Sequence, residues 1–140
     1  MEWKDEYLIG VEHIDEQHKS LFAKANELAE IVNRTPENKQ AITEAMLFLK
    51  RYALRHFADE EKYQKSIGYA DLVNHQALHR ALVADLLRQE EILAQSDYSA
   101  NDVKSLIAYL SAWMLDHVVN SDLLIRDYKP SSRETVKPGF

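Results

Sequence analysis

The segment from His56 to His79 constrains the fold more than any other part of the sequence. It contains His56 and Glu60, and then His75 and His79, so each pair has a spacing of four residues. Residues four apart lie on the same face of an α-helix, one turn from each other. Gly68, between the two pairs, favours the end of one helix and a return by the next. The sequence therefore predicts two adjacent antiparallel helices, each carrying a pair of potential metal ligands.

Hydrophobic periodicity predicts four amphipathic helices in all. Apolar residues recur at intervals of three and four residues in four segments, and the few prolines and glycines lie near the predicted helix ends. The first helix is expected to begin at Asp15 as its N-cap, the second at Thr35-Pro36, the third at about Ala70, and the fourth after Ser99. Short connections between helices of this length predict an all-α, antiparallel up-down-up-down four-helix bundle.

A chain of 140 residues is long enough for one domain with its own core. We expect residues 1–128 to form the bundle domain, with residues 1–14 as an N-terminal arm. Residues 129–140 are polar and contain prolines, which predicts a C-terminal tail.

Composition excludes several classes of function. The absence of cysteine rules out disulfides, iron-sulfur clusters and cysteine-bound zinc, so any metal must be held by His, Asp and Glu. A net charge of -6 without a basic block disfavours nucleic acid as a partner. The longest apolar run, 106–119, is too short to span a membrane and contains Asp116 and His117. With no signal-peptide pattern at the N-terminus, we expect a cytoplasmic protein with no membrane partner.

Five of the six histidines continue an apolar stripe of a predicted helix. A single histidine on a helix face is usually half-exposed or hydrogen-bonded to a neighbour, but a buried imidazole without a partner is costly. The whole set therefore predicts an inward-facing metal cluster that includes His18 and His117. The sixth histidine, His13, is expected at the surface before the first helix. Glu61 lies about 100 degrees around the helix from Glu60 and is expected to face solvent.

Four sequence blocks resemble the motifs of the hemerythrin family, in their order and spacing. The similarity extends from about Trp3 to Tyr128, nearly the whole chain. The blocks are Asp15-Glu16-Gln17-His18-Lys19, His56-Phe57-x-x-Glu60-Glu61, His75-x-x-x-His79 and Trp113-Met114-x-x-His117-x-x-x-x-Asp122. The resemblance implies a non-haem diiron site in the middle of the bundle.

Residue by residue, the resemblance implies seven ligands for two iron ions. One iron would be bound by His75, His79 and His117, and the other by His18 and His56. Both irons would be bridged by Glu60, Asp122 and an oxo or hydroxo group. If both ions are six-coordinate, this set leaves one position open, on the iron held by His18 and His56.

One open position favours reversible binding of dioxygen, by a carrier, a store or a sensor. A second hypothesis is a diiron enzyme that reduces peroxide or nitric oxide, which would need a redox donor. A third is an interaction bundle that holds zinc or no metal. The sequence identifies neither a redox donor nor a signalling partner.

The residues expected to surround the oxygen site are mostly apolar, which would exclude water and slow the loss of bound oxygen. They are Leu21, Phe57, Gln64, Trp113, Met114, Val118 and Val119. Bacterial members of the family commonly have Met where this chain has Gln64. We hypothesise that its amide hydrogen-bonds a bound ligand or admits water.

The spacing of His117 and Asp122 predicts an irregular helical turn. Five residues correspond to about 140 degrees around an ideal α-helix, so both side chains reach one site only if the helix widens locally. We therefore predict a π-type turn at residues 117–122.

Overall fold

The computed structural model describes residues 2–122 and 125, apart from the side chains of residues 120–122. Within these residues the chain forms a short 3₁₀ turn and then long helices, with no strand. The helices are α1 (Glu12–Arg34), α2 (Lys39–Ser66), α3 (Leu72–Gln95) and α4 (Ala100–Asp116). Each of α1 and α3 packs against both α2 and α4. The predicted all-α four-helix bundle is confirmed.

The first helix begins at Glu12, so the prediction of Asp15 as its N-cap is wrong. The Asp15 side chain is buried in the first turn, and its two oxygens accept hydrogen bonds from the backbone N–H groups of Ile9 (2.8 Å) and Gly10 (3.1 Å). Gly10 has a φ of 87°, a left-handed conformation that glycine adopts without strain. Asp15 therefore fixes the N-terminal arm to the helix instead of starting it.

An Asp15→Asn substitution is expected to loosen this arm. One of the two acceptor oxygens becomes an amide NH₂ that cannot accept, so the free energy of unfolding should fall by about 1 to 2 kcal/mol. Thermal unfolding followed by far-UV circular dichroism measures the change. Glu16→Gln, at an exposed position in the same helix, is the matched control. Equal melting temperatures for both variants would contradict the role of Asp15.

The second and third helices also begin later than the sequence predicted. Thr35 does not start α2, because its hydroxyl donates a hydrogen bond to the Ile31 carbonyl (3.0 Å) and so closes α1. Asn38 is the N-cap of α2 and accepts a hydrogen bond from the backbone N–H of Ala41 (3.1 Å). The third helix begins at Leu72. These shifts lengthen the connections without changing which helices are adjacent.

Two predicted helix boundaries are confirmed. Ser99 caps α4, and its hydroxyl accepts a hydrogen bond from the backbone N–H of Asp102 (3.3 Å). Gly68 follows the end of α2 with a φ of 66°, and the next N–H, of Tyr69, donates to the Gln64 carbonyl (2.9 Å). A residue with a side chain is rarely accommodated in this conformation, which explains why the single glycine between the two ligand pairs ends the helix.

The apolar faces of all four helices meet in one core. The arm covers part of it, since Trp3 contacts the rings of Tyr7 and Phe22 edge to face at centroid distances of 5.5 and 5.4 Å. None of the described helices combines the length and the apolarity needed to cross a membrane. The predicted tail at residues 129–140 lies outside the described residues.

The chain leaves α4 through a π-helix, His117–Asp122. This confirms the turn predicted from the five-residue spacing. A π-turn inserts one extra residue into the helical ladder, so residues five apart approach the same face. The widened turn begins at His117, which the sequence predicted as a ligand.

Candidate metal centre

The carboxylate of Glu60 is the centre of a fully buried polar cluster. Its Oε1 atom lies 2.7 Å from Nε2 of His75, 3.0 Å from Nε2 of His79 and 3.7 Å from Nε2 of His117. The side chain of Glu60 has no solvent exposure, and those of the three histidines are 2 to 4% exposed. Ring nitrogens from α3 and from the start of the π-helix therefore meet one oxygen of a carboxylate on α2.

The other oxygen of Glu60 faces a second pair of histidines. Its Oε2 atom lies 3.4 Å from Nε2 of His18, on α1, and 3.3 Å from Nε2 of His56, one turn earlier on α2. Neither imidazole is exposed. The Nε2 atoms of all five predicted histidines thus lie around a single carboxylate, although they come from different helices.

The cluster contains two groups of potential ligand atoms, each within 4.8 Å of one another. One group has His18 and His56, the other has His75 and His79, and both include Glu60 and His117. A carboxylate that bridges two metal ions presents one oxygen to each, which is the arrangement seen at Glu60. His117 is nearest to the oxygen that faces His75 and His79. The geometry therefore accommodates the division of ligands that the resemblance implies.

The donor set itself fits a cation better than it fits protons alone. Nδ1 of His79 lies 2.6 Å from a carboxylate oxygen of Glu61, while its Nε2 lies 3.0 Å from Glu60. Protonating all five imidazoles would place five positive charges around one carboxylate, whereas a neutral imidazole has one N–H and can donate to only one of these acceptors, leaving a lone pair against the other. A metal ion beside Nε2 would convert this repulsion into attraction. The residues present therefore fit a metal centre with histidine and carboxylate ligands.

Glu60 is held in its charged form by its surroundings. Burial raises the pKa of its carboxyl group, but the positive charge of His117 and hydrogen bonds from three other imidazoles lower it more. The net result is a pKa well below the ordinary value of 4.5. A buried carboxylate that remains ionised is the form that binds a metal ion.

The prediction that Glu61 faces solvent is wrong. Its side chain is 26% exposed and accepts the hydrogen bond from Nδ1 of His79 described above. The 100-degree offset from Glu60 takes Glu61 out of the cluster centre, but α3 packs closely enough for the carboxylate to reach the outer edge of the imidazole. Such an outer carboxylate orients the ring and makes its other nitrogen a better ligand.

Sequence reasoning missed Gln17, which contacts the outer nitrogen of His56 just as Glu61 contacts the outer nitrogen of His79. Gln17 is buried, and its Oε1 lies 2.8 Å from Nδ1 of His56. Its Nε2 donates to Oδ2 of Asp59 at 2.7 Å. The position of Gln17 beside a predicted ligand was a signal, but the partner on another helix appears only when the packing of α1 and α2 is known. His13 also contacts Asp59 (3.0 Å) and is exposed as predicted, although it lies inside α1.

Two aromatic rings hold the imidazoles in place. Phe57 stacks on His79 with a centroid distance of 4.2 Å and an interplanar angle of 15°. Trp113 stacks on His117 at 5.6 Å and 13°. The two aromatic rings are themselves 5.7 Å apart. Each aromatic ring covers one face of its imidazole and so restricts the orientation of that ring.

A narrow apolar void lies beside His18 and His117, and it has no room for a water molecule. Its other lining residues are Leu21, Phe22, Trp113, Met114 and Val118. Four of these residues were predicted to surround the oxygen site, and Phe22 was not. Phe57 contacts the imidazoles from another side, and the half-buried Val119 packs against the core. The void adjoins His18, one of the two histidines whose iron has the open position that the resemblance implies.

Gln64 is fully buried but lies outside the lining of this void. Neither its Oε1 nor its Nε2 has a hydrogen-bond partner among the described residues. Its predicted role toward bound oxygen therefore stays a prediction. The predicted ligand Asp122 ends the π-helix, but its side chain lies outside the described part of the structure.

Comparison with known proteins supports the fold and identifies a family. The model of the hemerythrin HHE cation binding domain matches residues 9–125. The chain is 28% identical to a bacteriohemerythrin of Clostridium acetobutylicum, covering 86% of this chain and 94% of that protein. It is also 28% identical to a bacteriohemerythrin of Pseudomonas aeruginosa, covering 86% of this chain and 75% of the relative.

A solved hemerythrin structure, of a point mutant, has the same fold. Its TM-score is 0.77 at 24% sequence identity, and the match covers 91% of this chain and 95% of that one. Since the family model extends over most of the bundle, from the arm to the end of the described residues, the chain belongs to the hemerythrin family.

Proposed function

We propose that this protein binds two non-haem iron ions in the cluster around Glu60 and captures dioxygen reversibly. The observation that carries the proposal is the buried Glu60 carboxylate, whose two oxygens face separate sets of imidazoles. The relatives named bacteriohemerythrin, similar over most of the chain, support it. The proposed function requires no nucleic acid or membrane as a partner.

The proposed ligands are those that the resemblance implied. His75, His79 and His117 would hold one iron, and His18 and His56 the other. Glu60, Asp122 and an oxo or hydroxo group would bridge them. Two ferrous ions, when bound, supply the pair of electrons that reversible capture of dioxygen requires.

The protein's own contribution is to position the imidazoles and to exclude water from the iron held by His18 and His56. Leu21, Met114 and Val118 line the void next to His18, and none of them can donate a proton. Because water and protons promote the irreversible loss of reduced oxygen, a dry pocket favours release of the molecule unchanged. This is the physical reason to prefer oxygen binding over turnover at this site.

Anaerobic loading with ferrous iron tests the proposal. We expect two irons per chain and ligand-to-metal absorption bands that appear in air, vanish under vacuum and return over repeated cycles. Bands that bleach irreversibly, together with steady turnover of peroxide or nitric oxide in the presence of an electron donor, would favour the diiron reductase instead. Binding of a single iron, or of zinc only, would contradict both.

A Gln64→Met substitution is expected to slow the oxidation of the oxygen-bound protein by several-fold. The amide is fully buried and can attract water into the interior, which the thioether of Met does not. The rate is measured from the decay of the oxygen-bound absorption band in air. Gln40→Met, at an exposed position of the same helix, serves as control. If the two variants oxidise at the wild-type rate, Gln64 has no role in water access.

A further inference from the structure

The amide of Gln17 has a fixed orientation. Asp59 contacts it through Oδ2 at 2.7 Å. Nε2 of Gln17 is the donor in this contact, because an ionised carboxylate has no hydrogen to donate and can only accept. The NH₂ group of Gln17 must therefore point to Asp59. Its carbonyl oxygen is left facing His56.

This orientation determines which nitrogen of His56 carries the outer proton. Oε1 of Gln17 is an acceptor 2.8 Å from Nδ1 of His56, so Nδ1 must be the N–H donor. In the neutral ring, the form that binds a metal ion, Nε2 then carries the lone pair and directs it inward, beside the Glu60 oxygen at 3.3 Å. Free imidazole does not enforce this choice, and the surrounding protein has to supply it.

We propose that Gln17 is a positioning residue of the metal centre, which fixes the ring of His56 for metal binding and passes to it part of the negative charge of Asp59. The inference deepens the proposed function, since it rests on the metal site, although it does not depend on dioxygen. The connection runs from a carboxylate, through a buried neutral amide, to a ligand on the neighbouring helix.

The hydrogen-bond partner of the outer imidazole nitrogen, Nδ1, differs between His79 and His56. Nδ1 of His79 donates directly to the carboxylate of Glu61 at 2.6 Å, whereas Nδ1 of His56 contacts the amide of Gln17, which in turn contacts the carboxylate of Asp59. A direct carboxylate increases the electron-donating power of an imidazole more than an amide does. His56, a proposed ligand of the iron with the open position, therefore has a weaker outer donor than His79.

Zinc titration of the whole protein tests the proposal without oxygen chemistry. Competition with a chelator should show two zinc ions in the wild type, and a Gln17→Leu variant should bind the weaker ion about 10- to 100-fold less tightly. The matched control, Gln40→Leu, makes the same change at an exposed position of α2. Far-UV circular dichroism establishes that both variants keep the bundle.

The NMR resonance of the imidazole N–H distinguishes a positioning residue from a residue that only fills space. In zinc-loaded, ¹⁵N-histidine-labelled protein, we expect a slowly exchanging Nδ1–H signal from His56 that is lost in Gln17→Leu. The signal from His79 should remain, and it should instead change in a Glu61→Gln variant. A residue that only fills space would leave the Nδ1–H signal of His56 unaltered.

A double substitution provides the rescue. Gln17→Glu alone places two carboxylates 2.7 Å apart and should weaken zinc binding. Adding Asp59→Asn restores a donor opposite the new carboxylate, which can then accept from both the Asn amide and His56. The double variant should recover zinc affinity to within about threefold of the wild type, since the interaction is a property of the pair.

Each outcome either supports or overturns the positioning role of Gln17. Unchanged zinc affinity and an unchanged Nδ1–H signal in Gln17→Leu would overturn the positioning role while leaving the proposed iron site intact. The same holds if the double variant binds no better than Gln17→Glu. A wild-type protein that holds no pair of zinc or iron ions would overturn the proposed function, and the positioning role with it.

Discussion

A Glu60→Gln variant is expected to lose the metal pair. Among the side chains that the structure describes, Glu60 is the one whose two oxygens face both sets of imidazoles, and an amide can present only one acceptor atom. Removing the negative charge of Glu60 also leaves the positive charge of two metal ions less compensated in a fully buried site. We expect binding to weaken by more than about 100-fold, beyond the effect typical of an outer partner, and iron per chain to fall from two towards none.

The measurement is iron or zinc content after loading and gel filtration, with the affinity determined by chelator competition. Glu16→Gln on the exposed face of α1 is the matched control and should retain both ions. Because glutamine has nearly the volume of glutamate, the metal-free variant should keep its helices, which circular dichroism checks. A Glu60→Gln protein that still binds two ions would show that Glu60 is not the bridge.

The parts of the structure that follow helical periodicity were predictable from the sequence. The fully buried positions of His18, His56 and Glu60 continue apolar stripes, and a buried stripe determines which way a side chain points. The π-helix was predictable as well, because the spacing of His117 and Asp122 conflicts with an ideal helix. Helical periodicity shows which face of each helix is buried, and knowing the buried faces was sufficient to locate the cluster.

Helix starts were predicted less well, because several residues compete for the same capping role. Asp15 and Thr35 are both good N-cap residues, yet each makes a different backbone hydrogen bond in the structure. Asp15 binds the arm that precedes the helix, and Thr35 closes the helix behind it. The choice depends on tertiary contacts of the arm and of the connection, which local sequence does not encode.

Contacts between helices were the least predictable part of the site. The pairing of Glu61 with His79 and of Gln17 with His56 depends on the relative height and rotation of neighbouring helices. Helix periodicity leaves both quantities open, since it describes each helix alone. The imidazoles of the cluster were found from the sequence, whereas the groups that orient them required the packing.

Acidification is expected to release the iron before the bundle unfolds. Imidazoles must be neutral to bind metal, and an unperturbed histidine titrates at about pH 6.5. Protons therefore compete with iron for all five histidines as the pH falls, and the ions should leave between about pH 6 and pH 4. The absorption of the oxidised iron centre, followed after equilibration at each pH, reports this step.

The fold should survive this step because of the direction in which the pKa of Glu60 shifts. A carboxyl group whose pKa is lower in the folded state than in the unfolded state stabilises the fold above its unfolded pKa. That contribution is lost only as the pH falls through the folded value, which lies well below 4.5. Protonated imidazoles around the ionised Glu60 can also replace the charge of the departed ions. Helix content, measured by far-UV circular dichroism, should thus decrease at a lower pH than iron absorption.

The Glu60→Gln variant is the control for this second step, since it lacks the titrating group. Its helix content should not show the loss assigned to protonation of Glu60, and any remaining acid transition must come from other carboxyl groups. If iron absorption and helix content in the wild type disappear together in a single transition, the metal and the fold are coupled more tightly than the buried carboxylate implies. The low pKa of Glu60 would then not be what preserves the bundle at acid pH.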